Sequence, residues 1–524
     1  MRAPHPDPPP ASRGEGVDTP AAADLARVDT RGAADLARMD TRGGAYLAPP
    51  PPAQRGEGQG GGLLRAGLLL IILAGSARAE VPPIAPGPLM APPLALRHPL
   101  TGGGALWLVR DPAVPLASVV IAVRGAGSAA DPPGARGLAA FTTDLVDEGT
   151  GQMGAAEVAE RIERRGGSLR SWTDEDAAYL EVSTLSRALP EALALVAELA
   201  VRPALRDGDA TRVRGQRLDL IRLRPDRPSV VATMLLWARL YGARSPYGHP
   251  GLGTADEVAR LDAARARAFH AARWRPEAIT VVVVGDFDEA VVRALLDERL
   301  RGWAAPVALP AAPEERGETG RLLVVDTPDS EQASVLLGAR GISRNHPRAA
   351  AVEVMATLLG GTFGSRLNQR LREELGITYG ASAWAAFLAG GGRVTIAADI
   401  VTAEGVRGLA EMLRIVRGLG ERPVPAAELT RAKQSLVRSL PRAFDTHART
   451  AETLAQLAVH GLGERWFDGY AATLDAVTAR DVQRVARELR WVAVVVGDLT
   501  KLVGLDQVGF GPPVRHTPEG EEVR

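Results

Sequence analysis

The chain of 524 residues contains no cysteine. That excludes disulfides, thiolate metal sites, a cysteine nucleophile and a lipid-modified N-terminal cysteine. A charge excess is also missing, since Lys+Arg and Asp+Glu each total 62, with nearly all the cations arginine. No net field therefore draws nucleic acid or an anionic membrane surface to it. Long apolar runs are scarce. The longest candidate, Ala66 to Ala74, has about nine residues against the roughly 20 that a spanning helix requires. Phosphate-loop, G-x-S-x-G and thiol-protease signatures are absent as well. The triple glycines at Gly102–Gly104 and Gly390–Gly392 lack a strand-loop-helix setting and read as turns.

What is present begins with a leader that cannot build a core. Residues 1–62 are dominated by Pro, Gly, Ala and Arg, and they repeat AADLARVDTRG (Ala22 to Gly32) as AADLARMDTRG (Ala33 to Gly43). Such composition predicts disorder or a mis-assigned start. Residues 63–79 then show Arg65, the short apolar run and Ala77-Arg78-Ala79, the pattern of an export signal with Ala-x-Ala cleavage. A true start near Leu63, a mature protein from Glu80 and an exported location, periplasmic or cell envelope, are the corresponding expectations.

From Ala105 the chain alternates strand and helix patterns. ALWLVRD and LASVVIAVRGAG read as strands; GARGLAAFTTDLVDEG, AAEVAERIERRG and ALPEALALVAELAVRP read as amphipathic helices; AAYLEVSTL and TVVVVGDFD read as strands again. The order then recurs about 210 residues later. EQASVLLGARG repeats the strand at Leu116, AAAVEVMATLLGGT takes the place of GLAAFTTDLVDEGT, and WVAVVVGDL echoes TVVVVGDFD. The predicted fold class is α+β: two homologous domains, residues 80–300 and 322–515, each an antiparallel-rich sheet packed with helices. Residues 301–321 form the linker and 516–524 a tail.

GLAAFTTDLVDEGT (Gly137 to Thr150) resembles the zinc helix of the insulysin and pitrilysin family of metallopeptidases, which runs G-L-A-H-F-L-E-H-M-x-F-x-G-T. In its inverted motif two His four apart share a helix face and bind the metal, and the Glu between them is the general base. The frame residues Gly137, Leu138, Ala139, Phe141, Gly149 and Thr150 are present here, but Ala140 stands for the first His, Thr143 for the Glu and Asp144 for the second His. Alanine offers no donor atom, and a lone carboxylate does not make a zinc site. The resemblance implies a third ligand on a later helix, where Arg214 to Pro228 offers Asp219 at best. None of the eight His is paired at three- or four-residue spacing. No metal is therefore expected on this chain, and Asp144 reads as an ordinary helix charge.

The resemblance continues through RSPYGHPGLGT (Arg244 to Thr254), FHAARWRPEAITVVVVGDFD (Phe269 to Asp288) and GGTFGSRLNQRLREELGITYGASAWAAF (Gly360 to Phe387). His249 and His270 fall in these framework segments and are expected to be structural hydrogen-bonding residues. In the last segment the resemblance implies two side chains that hold the substrate backbone and the oxyanion, Arg372 and Tyr379; both donate hydrogen bonds suited to a carbonyl gaining charge. Arg366 is expected to shape the same segment or to form a salt bridge.

Bacterial two-chain members of the family divide the zinc helix and the Arg/Tyr pair between subunits, and this chain is similar to the second kind. The resemblance then implies a zinc-bearing family subunit as partner, zinc on that partner and none here, and a peptide substrate. No nucleic acid and no stable membrane span are expected. The alternative is a proteolytically inactive peptide-binding or assembly module of the envelope.

Overall fold

The computed structural model describes residues 91–303 and 317–523. The expectations for the leader and the export signal lie outside the described residues, as does the middle of the linker.

Among the described residues, twelve strands form two six-stranded sheets. The first contains β1 (Leu96–Pro99), β2 (Ala105–Arg110), β3 (Leu116–Arg124), β4 (Ser168–Thr173), β5 (Ala177–Leu185) and β6 (Ile279–Gly285), in the order β1-β2-β6-β3-β5-β4. The second contains β7 (Leu322–Asp326), β8 (Gln332–Gly341), β9 (Thr378–Leu388), β10 (Gly391–Val401), β11 (Trp491–Gly497) and β12 (Val514–His516), in the order β12-β7-β11-β8-β10-β9. Five strands of each sheet superpose in order and direction. β2 runs parallel to β6 as β7 does to β11, and every other pairing among the five is antiparallel. The repeat read from the sequence is thus a repeat of topology, and the fold is α+β as expected.

The apolar runs become the central strands. Val281–Val284 and Val492–Val496 are essentially inaccessible to solvent, and continuous Val is what a strand buried on both faces requires. One face of each sheet packs against helices of its own half. The other face takes a helix from the opposite half. Pro228–Tyr241 lies on β8 and β11, while His447–Val459 lies on β3 and β6.

This exchange is reinforced by polar contacts across the halves. Tyr241 Oη donates to the Gly392 carbonyl at 2.7 Å. Arg393, 2% exposed, pairs with Glu175 at 2.5 Å and lies 4.0 Å from the Trp237 ring centroid. Tyr247 Oη donates to Asp176 at 2.7 Å, and the same carboxylate accepts from Ala389 N at 2.8 Å. Burial raises Asp176 from its ordinary range.

The first triple glycine is a turn, with Gly102 and Gly103 at φ of 94° and 104° between β1 and β2, whereas in the second only Gly390 lies in the turn and Gly391 and Gly392 open β10. Residues of the expected C-terminal tail instead fold back on the second sheet. Val514–His516 pairs in parallel with β7, and Val523 N donates to the Arg515 carbonyl at 2.9 Å.

Candidate functional site

The zinc-like helix is Leu138–Val146, entered through Gly137 at φ 90°. A Cβ at Gly137 would lie 2.8 Å from the Leu252 carbonyl oxygen, so glycine lets the PYGHPGLGT loop cross the helix start. Sequence reasoning did not single out Asp131. Its carboxylate accepts from Gly137 N at 2.6 Å and Ala139 N at 2.7 Å, so it caps the helix from outside the usual N-cap position. Burial pushes this carboxyl up to about 7, against the pull of those two amides.

Each motif position has an ordinary structural fate. Ala140 supplies no ligand atom. The Thr143 hydroxyl is buried and donates to the Ala139 carbonyl at 3.0 Å within its own helix. Asp144 forms an ion pair with Arg217, whose side chain is only 5% exposed and whose second Nη reaches the Gly251 carbonyl at 3.3 Å. Just beyond the helix, Glu148 pairs with Arg212. Both arginines belong to the helix Asp207–Arg222, the segment expected to supply a third ligand.

Asp219, the candidate in that segment, is corrected. Its side chain is 68% exposed and pairs with Arg222 at 2.6 Å, so it faces away from Asp144. Asp144 is likewise more than a solvated helix charge, because a buried guanidinium binds it. The cue for this pairing was available as charge complementarity: two carboxylates at Asp144 and Glu148 and two cations at Arg212 and Arg217, on segments that the zinc motif would bring together.

These residues do not fit a zinc ion. One position has no donor, one hydroxyl is committed to the backbone, and the carboxylate is neutralised by a buried cation. Among the described residues no group of three or more His, Asp or Glu is arranged to hold a metal. His249 Nδ1 lies 3.4 Å from the Pro250 carbonyl and 4.0 Å from Asp131. His270 Nε2 lies 2.9 Å from the Ala200 carbonyl. Burial lowers both imidazoles, His270 to about 4. They act as neutral framework groups.

The second half carries the other cluster. After the helix Ala349–Ala356 the chain widens into a π-turn, Thr357–Gly361, and a second π-turn, Asn368–Glu374, holds Arg372. A Cβ at Gly360 would sit 2.4 Å from Ala383 N, so glycine permits the first π-turn to close against β9. Asn368 then fixes the second. Its amide donates to the Ala381 carbonyl at 2.8 Å and accepts from Ala381 N at 2.9 Å, as a neighbouring strand would. Arg366 makes a two-pronged pair with Glu428 at 2.6 and 2.8 Å, the salt-bridge role rather than a free cation. Arg370 is held by Glu374 and Glu411.

Arg372 differs. Its guanidinium lies over the Phe363 ring, 4.1 Å from the centroid, with Glu373 at 3.5 Å. Tyr379, the second residue of β9, is 89% exposed and Phe363 64% exposed. A cation, a phenol and an apolar ring therefore face solvent in one segment. Short π-turns of this kind recur where a helix presents functional groups.

The chain as a whole is similar to known proteins. The family description "Insulinase (Peptidase family M16)" matches residues 107–242, and "Peptidase M16 inactive domain" matches residues 260–436. The chain is similar to an uncharacterized zinc protease of Mycobacterium tuberculosis, 29% identical over 426 residues, covering 79% of this chain and 95% of the relative. It is also similar to a non-peptidase homolog, YmxG, of Helicobacter pylori, 26% identical, covering 64% and 77%. Among solved structures, a protease from Helicobacter pylori gives a TM-score of 0.72 at 20% identity, covering 78% of this chain and all of that one. A peptidase M16 inactive domain from Pseudomonas fluorescens gives 0.70 at 23%, covering 77% and 98%. The chain belongs to the insulinase family of peptidases, M16, as a member that lacks the family's zinc-ligating side chains at the motif positions.

Proposed function

We propose that this chain is the zinc-less subunit of a two-chain metallopeptidase and supplies Arg372 and Tyr379 to the active site of a zinc-bearing partner of the same family. The observation that carries the reading is the asymmetry between halves. Ala140, Thr143 and Asp144 are empty or committed, whereas Tyr379 is 89% exposed and the carboxylate beside Arg372, Glu373 at 3.5 Å, is itself exposed. The Arg372 N–H groups and the Tyr379 hydroxyl would donate to a peptide carbonyl as it gains charge. Such donors act where charge develops, and losing one costs on the order of 10²-fold in turnover. The substrate is an extended peptide; the zinc resides on the partner, and the chain is exported to the periplasm or envelope.

A second reading has its own support. The name of one relative, a non-peptidase homolog, favours a proteolytically inactive module that binds peptides or assembles envelope proteins without a catalytic partner. Co-expression separates the two. The chain is produced from Glu80 with a candidate chain carrying an intact H-x-x-E-H helix, and zinc and peptide cleavage are measured together and apart. Activity confined to the pair supports the first reading; failure to associate supports the second.

A further inference from the structure

We infer that Phe363 is a positioning residue for Arg372, holding the guanidinium plane so that its edge N–H groups stay available to a peptide carbonyl; this rests on the reading of Arg372 given above. A phenyl ring left 64% exposed forgoes the stabilisation that burial of a large apolar side chain provides. Its neighbour on the structure is the Arg372 guanidinium, 4.1 Å from the ring centroid, well inside the roughly 6 Å reach of a cation–π contact.

Stacking and salt-bridging use an arginine differently. A carboxylate occupies the in-plane donors, as Glu428 does for Arg366 and Glu411 with Glu374 does for Arg370. An aromatic face meets the guanidinium from above or below and leaves the five in-plane donors pointing outward. Of the three arginines in this segment, Arg372 is the one held by a ring. The carboxylate beside it, Glu373 at 3.5 Å, is 52% exposed, and an exposed pair of that kind orients little.

The turn that carries the ring is anchored. Ser365 N donates to the Thr362 carbonyl at 3.1 Å, and Asn368 Nδ2 reaches the same carbonyl at 3.1 Å while gripping Ala381 of β9. Phe363 is therefore carried by a turn tied to the strand that presents Tyr379. The ring that faces Arg372 and the strand that presents Tyr379 are thereby tied to one another through Asn368.

The test is a double-substitution cycle in the assembled complex, using a quenched-fluorescence mixture of nine-residue peptides as probe. F363A is expected to lower kcat/KM roughly 2- to 5-fold, the fold-change that corresponds to an exposed cation–π contact. F363Y, which keeps a ring, restores the rate; F363L, which keeps only apolar bulk, does not. In the R372A background F363A has no further effect. Equal losses from F363A with and without Arg372, or full rescue by F363L, would overturn the positioning role while leaving Arg372 in the site. If R372A alone leaves turnover unchanged, the reading of Arg372 fails and the inference with it. Phe363 is exposed, so its variants are expected to fold, which the unchanged far-ultraviolet circular dichroism of F363A checks.

Discussion

The two halves share five strands in the same order and opposite fates for their chemistry. In the first half the helix Leu138–Val146 has a glycine entrance and buried Leu138, Phe141 and Leu145, and Asp144 and Glu148 are paired with Arg217 and Arg212. In the second half the corresponding helix runs into two π-turns, the second of which carries the half-exposed Arg372, while the exposed Tyr379 stands on β9. The lesson is that apolar spacing preserves a fold while the polar residues on it are free to change role. A buried guanidinium can tie two helices together much as a bound cation would, without the chemistry of a Lewis acid.

The largest effect that would sharpen this contrast concerns metal uptake. Restoring Ala140→His, Thr143→Glu and Asp144→His together removes the partner of Arg217 and leaves a buried cation beside the intended site. That triple variant is expected to hold no zinc by metal analysis. Adding Arg217→Glu, which removes the cation and supplies a carboxylate from the same helix, is expected to raise zinc content toward one per chain. Zinc retained by the triple variant with Arg217 in place would show that the ion pair is no obstacle.

Next in size is the stability held in that pair. Arg217→Ala leaves Asp144 without its buried partner and is expected to cost about 3 kcal/mol, the lower end for breaking a buried ion pair because Asp144 is itself 28% exposed. Urea unfolding followed by tryptophan fluorescence measures it, and a loss below about 1 kcal/mol would reduce the pair to a surface contact. Arg372→Ala works in the opposite half and in the opposite currency: activity of the complex falls on the order of 10²-fold with stability and association unchanged.

The smallest effect separates framework histidines from functional ones. Burial lowers His270 to about 4, so the folded chain binds this proton more weakly than the unfolded chain. Its contribution is present above about pH 6.5 and is lost as pH falls toward 4. His270→Gln should therefore reduce the stability difference between pH 7 and pH 5 by about 2 kcal/mol. Asp131, raised to about 7 by burial, has the reverse sign: its folded form prefers the proton, and stability declines as pH rises from about 4 to 7. Asp131→Asn should flatten that decline, although it also weakens a helix cap.

Much of this architecture was legible in the sequence. The valine runs of β6 and β11 and the apolar stripe of Leu138–Val146 carry strong periodicity, and their recurrence gave away the duplication. The short edge strands did not. β4, SLRSWT, mixes polar and charged residues, with Arg170 reaching across to Glu181, and its pairing is set by β5 rather than by its own pattern. The exchange of Pro228–Tyr241 and His447–Val459 between halves is a tertiary choice: both read as apolar helices whichever sheet they cover. At the candidate site, the residues at the motif positions could be read directly, and Arg372 and Tyr379 were singled out by the family segment. The partner of Asp144 could not be read, because Arg217 and Asp144 are 73 positions apart and only the fold sets them side by side. Phe363 was similarly silent, since an exposed ring announces itself only once its guanidinium neighbour is placed.

The central claim is that catalysis is divided between two chains, and the most direct test is zinc stoichiometry joined to activity. The chain, its zinc-bearing candidate partner and the purified pair are assayed for zinc and for chelator-sensitive peptide cleavage. Division of catalysis between the two chains requires one zinc per pair, none on this chain alone, and cleavage by the pair that Arg372→Ala cripples. One zinc per isolated chain with chelator-sensitive cleavage in the absence of any partner would contradict it.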